Sequence, residues 1–236
     1  MTMDDPALVS EQYANEANLR ARQALWARVE GENATVALWR TVSGLRPRRV
    51  LEVGGGQGEL AERMQAELAA EVTFLDQSER MVELARARGI ADAHVGDVQR
   101  LPFESARFDT VVAAWMLYHV EDLEQGIAEL ARVLQPGGRL VAVTNSVRHL
   151  EELRLLFGTF MEGYERRFNA ENGEAILRRS FDRIERTDTD VVAVVDDREV
   201  LDGYRDSLLY ETRPLPDELE LPFRVHGRTA IFVATK

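Results

Sequence analysis

The chain has 236 residues, a length that suits either one α/β domain or a domain with a cap. Of these residues, 45% are hydrophobic and 30% are charged, a composition typical of a soluble globular protein. It contains no cysteine, which excludes disulfides, zinc–thiolate sites, iron–sulfur clusters and a thiol nucleophile. The net charge of −12 repels phosphate backbones at long range, so nucleic acid is not expected as a partner.

Targeting and membrane signals are missing from the sequence pattern. No stretch of 18 consecutive residues is apolar, and residues 1–10 lack a basic region followed by an apolar one. We therefore expect neither a membrane span nor a secretory signal, and we expect a cytoplasmic location. Acidic residues are plentiful but form no ligand cluster, so no metal is expected. The pattern does not distinguish a monomer from a homodimer.

The predicted elements begin with helix. Residues 1–45 show helical spacing of apolar side chains with a break at Gly31–Asn33, and we interpret them as an N-terminal helical lid. From Arg49 onward, short apolar runs alternate with amphipathic stretches. The pattern predicts strands at 50–53, 72–75, 93–95, 108–114 and 140–144, with helices at 59–70, 78–88 and 123–134.

The rhythm weakens after Asn145, where helices are predicted at 150–161 and 199–209 and strands at 191–195 and 229–234. Strand–helix alternation with continuously apolar strands is typical of a parallel sheet covered by helices on both faces. We interpret 46–147 as a Rossmann-like core. Residues 148–236 then complete the sheet and carry an inserted helical cap, within a single domain overall.

The strongest motif is VLEVGGGQGEL at 50–60, in which a strand runs into glycines and then into a helix. Glycines in such a turn allow the backbone to approach a ligand closely. A dinucleotide-binding loop needs glycine or alanine where Glu59 stands, and a carboxylate there would repel a pyrophosphate. The G-x-G-x-G spacing after Glu52 favours a ligand with a ribose and a cationic amino-acid tail. An ordinary strand–helix turn is the alternative.

Two more acidic residues follow predicted strands. Asp76 ends the second strand, where a carboxylate can accept hydrogen bonds from both hydroxyls of a ribose. This feature alone does not identify the nucleotide, and a helix cap is the alternative, for which Ser78 competes. Asp97 follows the third strand and could accept from an adenine amino group while Val98 packs on the ring, although Gly-Asp is common in turns.

The fourth predicted strand ends near Ala114. Ligands bind beyond the carboxyl ends of strands in folds of this kind. We therefore expect Trp115, Met116 and His119 to face the ligand. The stretch LQPGGRL at 134–140 ends a helix, turns and begins a strand, and we interpret it as structural.

These motifs, in this order and spacing, resemble the class I S-adenosylmethionine-dependent methyltransferases, in particular the ubiquinone/menaquinone and small-molecule methyltransferase subgroup. The matching stretches cover less than half of the chain and are VLEVGGGQGEL, TFLDQS, GDVQRLPF, FDTVVAAWMLYHV and RVLQPGGRLVAV. The resemblance implies a doubly wound, seven-stranded, mainly parallel sheet with an antiparallel last strand. It implies S-adenosylmethionine as the cofactor and does not specify the acceptor.

The resemblance also implies a role for each motif residue. Glu52 would meet the methionine ammonium, directly or through water, and Asp76 would hold the ribose. The adenine would lie beside Gln77, Asp97 and Val98. The floor and the methionine side of the cofactor site would be formed by Gly54, Gly55, Gly56, Gly58, Ala114 and Trp115. Relatives often carry cysteine or another small residue at the position of Gly55, so this departure is mild.

A catalytic role is implied for His119. The sulfonium methyl is already electrophilic, so the main tasks of the protein are in-line positioning and exclusion of water. A general base helps when the acceptor is a hydroxyl, and a neutral imidazole titrates near working pH. In relatives this position lies close to the methyl group. The alternative is that His119 only packs beside the cofactor.

Acceptor-binding residues are marked less clearly. Tyr13 is implied by analogy, since relatives often place an N-terminal tyrosine over the active site, and Arg22 is a candidate for the cofactor carboxylate. The segment from Arg148 to Arg213 is rich in large side chains, which suit either an aromatic cap over an apolar acceptor or a small helical core. These side chains are Phe157, Phe160, Met161, Tyr164, Phe168, Phe181 and Tyr204.

The leading hypothesis is methyl transfer from S-adenosylmethionine to a small molecule, such as a secondary metabolite or a quinone-like compound. One alternative is a methyltransferase acting on RNA or protein, which the acidic charge disfavours for RNA. Another is a non-catalytic S-adenosylmethionine-binding module. An NAD-dependent oxidoreductase is disfavoured by Glu59 and by the lack of a Tyr-x-x-x-Lys pair, since Lys236 is the only lysine.

Overall fold

The computed structural model describes residues 16–159, 167–208 and 211–236, which fold into two units. The larger unit consists of Thr35–Thr144, Arg167–Asp188 and Ala230–Lys236. The described residues of the smaller unit come from Met1–Ala34, Asn145–Arg166 and Thr189–Thr229. The predicted boundaries at residues 45 and 147 stay predictions, because compactness does not show which segment acts as a lid or a cap.

Strands and helices alternate along most of the described chain. The strands are β1 (Val29–Glu30), β2 (Arg49–Val53), β3 (Glu71–Asp76), β4 (Asp92–Val95), β5 (Phe108–Ala114), β6 (Leu134–Asn145), β7 (Arg183–Val195) and β8 (Phe223–Thr235). The α-helices are α1 (Glu16–Ala24), α2 (Ala34–Leu45), α3 (Glu59–Leu68), α4 (Glu79–Ala87), α5 (Leu123–Val133), α6 (Glu151–Phe157), α7 (Gly173–Leu177) and α8 (Arg198–Asp206). Short 3-10 helices occupy Val98–Arg100 and Leu117–His119. None of the helices within the described ranges is long and apolar enough to cross a membrane.

The sheet has the strand order β1-β7-β8-β6-β5-β2-β3-β4. The neighbouring strands from β4 to β6 are all parallel. β8 runs antiparallel to β6, because the amide of Lys236 donates to Gly138 O at 3.0 Å and the amide of Gly137 donates to Lys236 O at 2.9 Å. These bonds join the end of one strand to the start of the other. The predicted doubly wound, mainly parallel sheet with an antiparallel last strand is confirmed. It has eight strands among the described residues instead of the expected seven.

Four strands of the sheet differ from the prediction. β6 and β8 begin at Leu134 and Phe223, each six residues before the predicted starts at 140 and 229. β1 has only two residues, both exposed, which pair antiparallel with Val192 and Ala193 of β7, so no apolar pattern marks it. β7 begins at Arg183 rather than at the predicted Val191. The additional stretch is rich in charged residues and mostly exposed, and it therefore lacks the apolar alternation by which a strand is recognised.

The larger unit buries apolar side chains on both faces of its sheet. Val111 and Ala113 of β5 belong to one cluster with Leu51 of β2. Val112 belongs to a second cluster with Val50. All five residues are 0% exposed. Successive residues thus alternate between two buried faces, which explains why these strands read as continuous apolar runs.

The smaller unit has an apolar core of its own, formed around α1, α6, α8 and its parts of β7 and β8. Phe157 is buried there and stacks on Tyr204 with 6.3 Å between ring centroids. The Nη2 of Arg22 donates to Ser207 O at 3.1 Å, which joins α1 to the end of α8. Arg22 is therefore engaged inside this unit, and the structure lends no support to its assignment to the cofactor carboxylate.

Two of the aromatic residues assigned to an acceptor-binding cap instead fill the core of the larger unit. Phe168 is 0% exposed and Phe181 is 4% exposed, and Phe168 packs edge-on against Phe232 at 6.0 Å. Their contribution is therefore to folding. Phe160, Met161, Tyr164 and the N-terminal Tyr13 lie outside the described residues.

Gly173, at the start of α7, is closed in by two aromatic rings. A Cβ there would stand 2.7 Å from Cε2 of Phe232 and 3.1 Å from Cζ of Phe168. We expect Gly173→Ala to lower the free energy of unfolding by about 1–3 kcal/mol, as overpacking of a core does. Urea unfolding followed by circular dichroism measures this change.

Gly44 in α2 provides the matched control. A Cβ on Gly44 meets no described atom within 4 Å, so Gly44→Ala should raise the free energy of unfolding by about 0.5 kcal/mol through reduced chain entropy of the unfolded state. Equal stabilities of the two variants would contradict the packing described for α7.

Candidate active site

The candidate site lies at the carboxyl edge of the parallel strands of the larger unit. The chain passes from β2 outward to β4 and then returns to continue on the other side with β5, and ligands bind in the crevice at such a reversal. Gly54 follows β2, Gly96 follows β4, and Asp76 and Ala114 end β3 and β5. The Gly54 amide donates to Leu75 O at 2.8 Å and the Gly96 amide to Asp76 O at 3.0 Å, which ties these strand ends together.

Glu52 places a buried carboxylate at the centre of this edge. In the sheet register it lies between Phe74 of β3 and Val112 of β5. Glu52 is 2% exposed, and its Oε2 has no hydrogen-bond partner among the described residues. Burial raises the pKa of Glu52 to about 8, against a hydrogen bond from the Ala61 amide that lowers it. An unpartnered buried oxygen is unfavourable, so this atom marks a place for a positively charged group.

The glycine turn is shaped around this carboxylate. A Cβ on Gly55 would stand 2.5 Å from Cδ of Glu52 and 2.6 Å from Cε2 of Phe74. Gly54 has a φ of 64°, and a Cβ there would stand 2.8 Å from Cβ of Met116. Both positions therefore require glycine. The small side chain that relatives were expected to carry at position 55 has no room in this chain, because Glu52 and Phe74 occupy the space.

Gly56 and Gly58 shape the other side of the turn. Gly56 has a φ of 57°, and a Cβ on it would meet no described atom within 4 Å. Its backbone therefore offers a bare surface that a ligand can approach closely. Gly58, with a φ of 80°, leads into α3 and packs closely, since its Cβ would stand 3.0 Å from Cβ of Ala85.

Asp76 presents the second carboxylate. It is 8% exposed, and its Oδ1 accepts from the Ser78 amide at 2.9 Å. The cap of α4 is Ser78, whose hydroxyl accepts from the Met81 amide at 3.4 Å. Burial raises the pKa of Asp76, while hydrogen bonds from the amides of Ser78 and Gly56 favour its charged form. A carboxylate has about four acceptor sites, so Asp76 keeps capacity for hydroxyl donors.

The residues assigned to the adenine have different surroundings. Asp97 is exposed and caps the 3-10 helix Val98–Arg100, with Oδ1 accepting from the Gln99 amide and Oδ2 from Gln99 Nε2, both at 2.9 Å. Val98 is 5% exposed and belongs to the main core, so its side chain offers little surface to a ring. Gln77 is exposed just beyond β3.

The backbone is strained where β5 ends. Trp115 has a φ of 54°, a left-handed conformation that costs about 1–2 kcal/mol in a residue with a side chain. Its amide donates to Val143 O at 2.9 Å, and its ring packs against the cluster that contains Val112. Strain of this kind concentrates at functional sites. The turn brings the main chain of Ala114 and Trp115 to the same edge as Glu52.

His119 ends the 3-10 helix that follows this turn. Its amide donates to Met116 O at 2.9 Å, and its ring centroid lies 4.4 Å from that of Tyr118. Burial lowers the pKa of His119, so the imidazole is neutral at pH 7 and one of its nitrogens can accept a proton.

Arg167 belongs to this site and carries no motif that sequence reasoning could detect. Its Nη1 donates to Tyr118 O at 2.8 Å, although the two residues lie 49 positions apart. One arginine in a segment rich in charged residues looks like any surface arginine in sequence. Only the folding of the chain brings it beside the His119 helix.

The described residues fit a ligand of defined chemistry. The unpartnered oxygen of Glu52 suits a cation, and Asp76 suits a pair of hydroxyl groups. At Gly56 no side chain covers the backbone, so a ligand can approach it closely. A ribonucleoside with a cationic amino-acid tail combines these parts. Within the part of the chain that the structure describes, no group of three histidine, aspartate or glutamate side chains could hold a metal ion.

Comparison with known proteins agrees with this chemistry. A family model described as a methyltransferase domain matches residues 51–142. The malonyl-[acyl-carrier protein] O-methyltransferase of Chlorobium luteolum is 31% identical over 198 residues, which cover 80% of this chain and 73% of that protein. The demethylmenaquinone methyltransferase of Deinococcus radiodurans is 41% identical over 101 residues, which cover 40% of this chain and 42% of that protein.

A solved structure shows the same fold. The S-adenosylmethionine-dependent methyltransferase of Thermotoga maritima, described as a possible histamine N-methyltransferase, has a TM-score of 0.61 and 20% identity, and the match covers 97% of this chain and 98% of that chain. At this identity the likeness shows the fold alone. Together with the long match to the Chlorobium protein and the order of the motifs, it leads to one conclusion. The chain belongs to the class I S-adenosylmethionine-dependent methyltransferases.

Proposed function

We propose that the protein transfers the methyl group of S-adenosylmethionine to a small-molecule acceptor. The observation that carries this proposal is the buried Oε2 of Glu52, which lacks a partner among the described residues, beside a turn whose backbone is bare at Gly56. A carboxylate in this state suits the cationic amino-acid end of the cofactor. When bound, the cofactor supplies an electrophilic methyl group.

The motif residues divide the cofactor among them in this proposal. Glu52 binds the ammonium and Asp76 accepts from the ribose hydroxyls. Gln77, Asp97 and Val98 border the adenine. The contacts to the adenine come from the Asp97 carboxylate, which can accept further hydrogen bonds, and from the main chain of Val98, because the side chain of Val98 is buried. The remaining contacts come from the main chain of the two turns, at Gly54, Gly55, Gly56, Gly58, Ala114 and Trp115.

His119 serves as the general base in this proposal when the acceptor is a hydroxyl. Its lowered pKa keeps the imidazole neutral and able to take the acceptor proton at neutral pH. Its place just after β5, at the edge where Glu52 and Asp76 lie, supports this role.

The relatives narrow the acceptors that are worth testing. One is named for O-methylation of a malonyl group on a carrier protein and the other for methylation of demethylmenaquinone. Malonyl thioesters and quinone-type rings therefore come first in an acceptor panel. The net charge of −12 supports a small molecule over RNA, since RNA binding relies on cationic surface.

Isothermal titration calorimetry with S-adenosylmethionine, S-adenosylhomocysteine and NADH tests the cofactor site first. Binding of the first two ligands and not of NADH is expected. Methyl-labelled cofactor is then incubated with the acceptor panel and with a fractionated lysate. Label in an extractable small molecule, or in a small group that thioester cleavage releases from a carrier protein, supports the proposal. Label only in RNA or in the polypeptide itself would overturn it. Cofactor binding without any transfer would favour a non-catalytic binding module.

Glu52 should release a proton when the cofactor binds. With a pKa of about 8 in the free protein, Glu52 is protonated at pH 6.5, and a bound ammonium favours its charged form. An α-amino group, with a pKa near 7.7–8.0, is itself protonated at this pH. Calorimetry at pH 6.5 in two buffers of different ionisation enthalpy should therefore show release of close to one proton.

Glu52→Gln is the matched variant for this measurement. It keeps the shape of the side chain and removes the titration, so the buffer dependence should vanish. Affinity should also fall by about 2 kcal/mol, or roughly thirtyfold, because a charged partner is lost. The same buffer dependence in both proteins would show that Glu52 is not the titrating group.

His119→Gln should leave the affinity for S-adenosylhomocysteine unchanged and lower kcat for a hydroxyl acceptor by about 10²–10⁴. Because burial lowers the pKa of His119, wild-type kcat should persist to a lower pH than an ordinary imidazole would allow, and it should fall as the imidazole becomes protonated. His94→Gln is the control, since His94 pairs with Asp92 on β4. An unchanged kcat in His119→Gln would assign this residue to packing only.

A further inference from the structure

We propose that Arg167 is a positioning residue for His119, acting through the main chain of Tyr118. This inference rests on the proposed role of His119 for its catalytic meaning, although the contact itself does not depend on that role. All residues involved belong to the larger unit.

The contact satisfies a helix end. Within the 3-10 helix Leu117–His119, the His119 amide donates to Met116 O at 2.9 Å and the Val120 amide donates to Leu117 O at 3.2 Å. The carbonyls at the end of a helix need hydrogen-bond donors from outside it. Arg167 Nη1 donates to Tyr118 O at 2.8 Å, and a hydrogen bond from a charged donor is stronger than a neutral one.

Two asparagines hold Arg167 in place. Asn169 is 1% exposed; its Nδ2 donates to Arg167 O at 3.0 Å and its Oδ1 accepts from the amides of Glu171 and Asn172. Asn172 Nδ2 donates to the same Arg167 carbonyl at 2.5 Å, and Asn172 Oδ1 accepts from the Asn169 amide at 2.9 Å. A buried amide is unfavourable unless it is hydrogen-bonded. The paired asparagines therefore fix the backbone from which the guanidinium reaches.

The turn at residues 167–172 and the segment at 115–119 are both attached to the end of β6. Thr144 Oγ1 donates to Phe168 O at 2.9 Å in a fully buried contact. The neighbouring residue, Val143, accepts from the amide of Trp115 at 2.9 Å. Two adjacent residues of one rigid strand thus anchor both partners of the Arg167–Tyr118 hydrogen bond.

The geometry gives Arg167 a specific effect. A single turn of 3-10 helix has too few internal hydrogen bonds to persist alone. Without the guanidinium, Tyr118 O loses this charged donor, the turn loosens, and the His119 ring gains solvent contact. Because burial is the cause of the lowered pKa of His119, solvation should return that pKa toward its ordinary value of 6.5.

The test is an NMR titration of the histidine ring protons in the full-length chain, which needs no acceptor. In Arg167→Met, the pKa of His119 should rise toward 6.5, while those of His94, His149 and His226 stay as in the wild type. The affinity for S-adenosylhomocysteine should stay within about threefold of the wild type. An unchanged pKa of His119 would overturn the proposal.

Arg186→Met is the matched control. Arg186 Nη1 also donates to a backbone carbonyl, that of Ala170 at 2.6 Å, which lies three residues after Arg167 in the chain. Its loss should leave the pKa of His119 unchanged, and an equal shift in both variants would show a general loosening and overturn the proposal. If Arg167→Met does not fold, Arg167→Gln, whose shorter amide cannot span the distance, is judged by the same readout.

The pKa of His119 in Arg167→Met and the kcat of His119→Gln test the positioning role and the base role separately. A shifted pKa in Arg167→Met, together with an unchanged kcat in His119→Gln, would leave the positioning intact and remove the base role. The reverse pattern would keep the base role and remove Arg167 from it.

Discussion

The burial of one carboxylate at the reversal point of the sheet is the constraint on which the site depends. Glu52 sits between two apolar neighbours in adjacent strands, and its Oε2 is unpartnered among the described residues. The negative charge of Asp76 also raises its pKa. Two carboxylates held close in a buried site repel each other unless one is protonated or a cation lies between them. The local architecture is therefore arranged for a ligand that brings positive charge.

The end of β6 gives this site its second support. Val143 and Thr144 hold the strained turn at Trp115 and the turn that contains Phe168. Strain in a loop persists only where the surroundings determine it strongly, and a central strand with buried neighbours on both faces provides such surroundings. The segment between Trp115 and His119 therefore lies outside the strands but takes its rigidity from the sheet.

The strands and turns that have a clear local pattern of apolar and turn residues were predictable from the sequence. β2 to β6 are apolar runs bounded by turn residues, and the glycine turn and its acids follow them at fixed spacing. The first half of β7 was not predictable, because its charged residues, from Arg183 onward, pair with β8 without burying an apolar face.

Long-range contacts set the other limit of sequence reasoning. Phe168 reads as part of an aromatic cap but fills the core beside Phe232, and Arg167 reaches Tyr118 across 49 positions. Nothing in the spacing of these residues records such partners. Ser78 and Asp76 are a different case. The sequence showed that either residue could cap the following helix, and the side-chain geometry shows that Ser78 is the cap.

The closed space at Gly55 limits which substitutions the turn tolerates. A Cβ at this position would collide with Cδ of Glu52 and with Cε2 of Phe74. Shortening the acid alone would not make room, because the Phe74 ring would still stand in the way. A side chain at position 55 therefore requires two neighbours on adjacent strands to change together, and no single compensating substitution restores the turn.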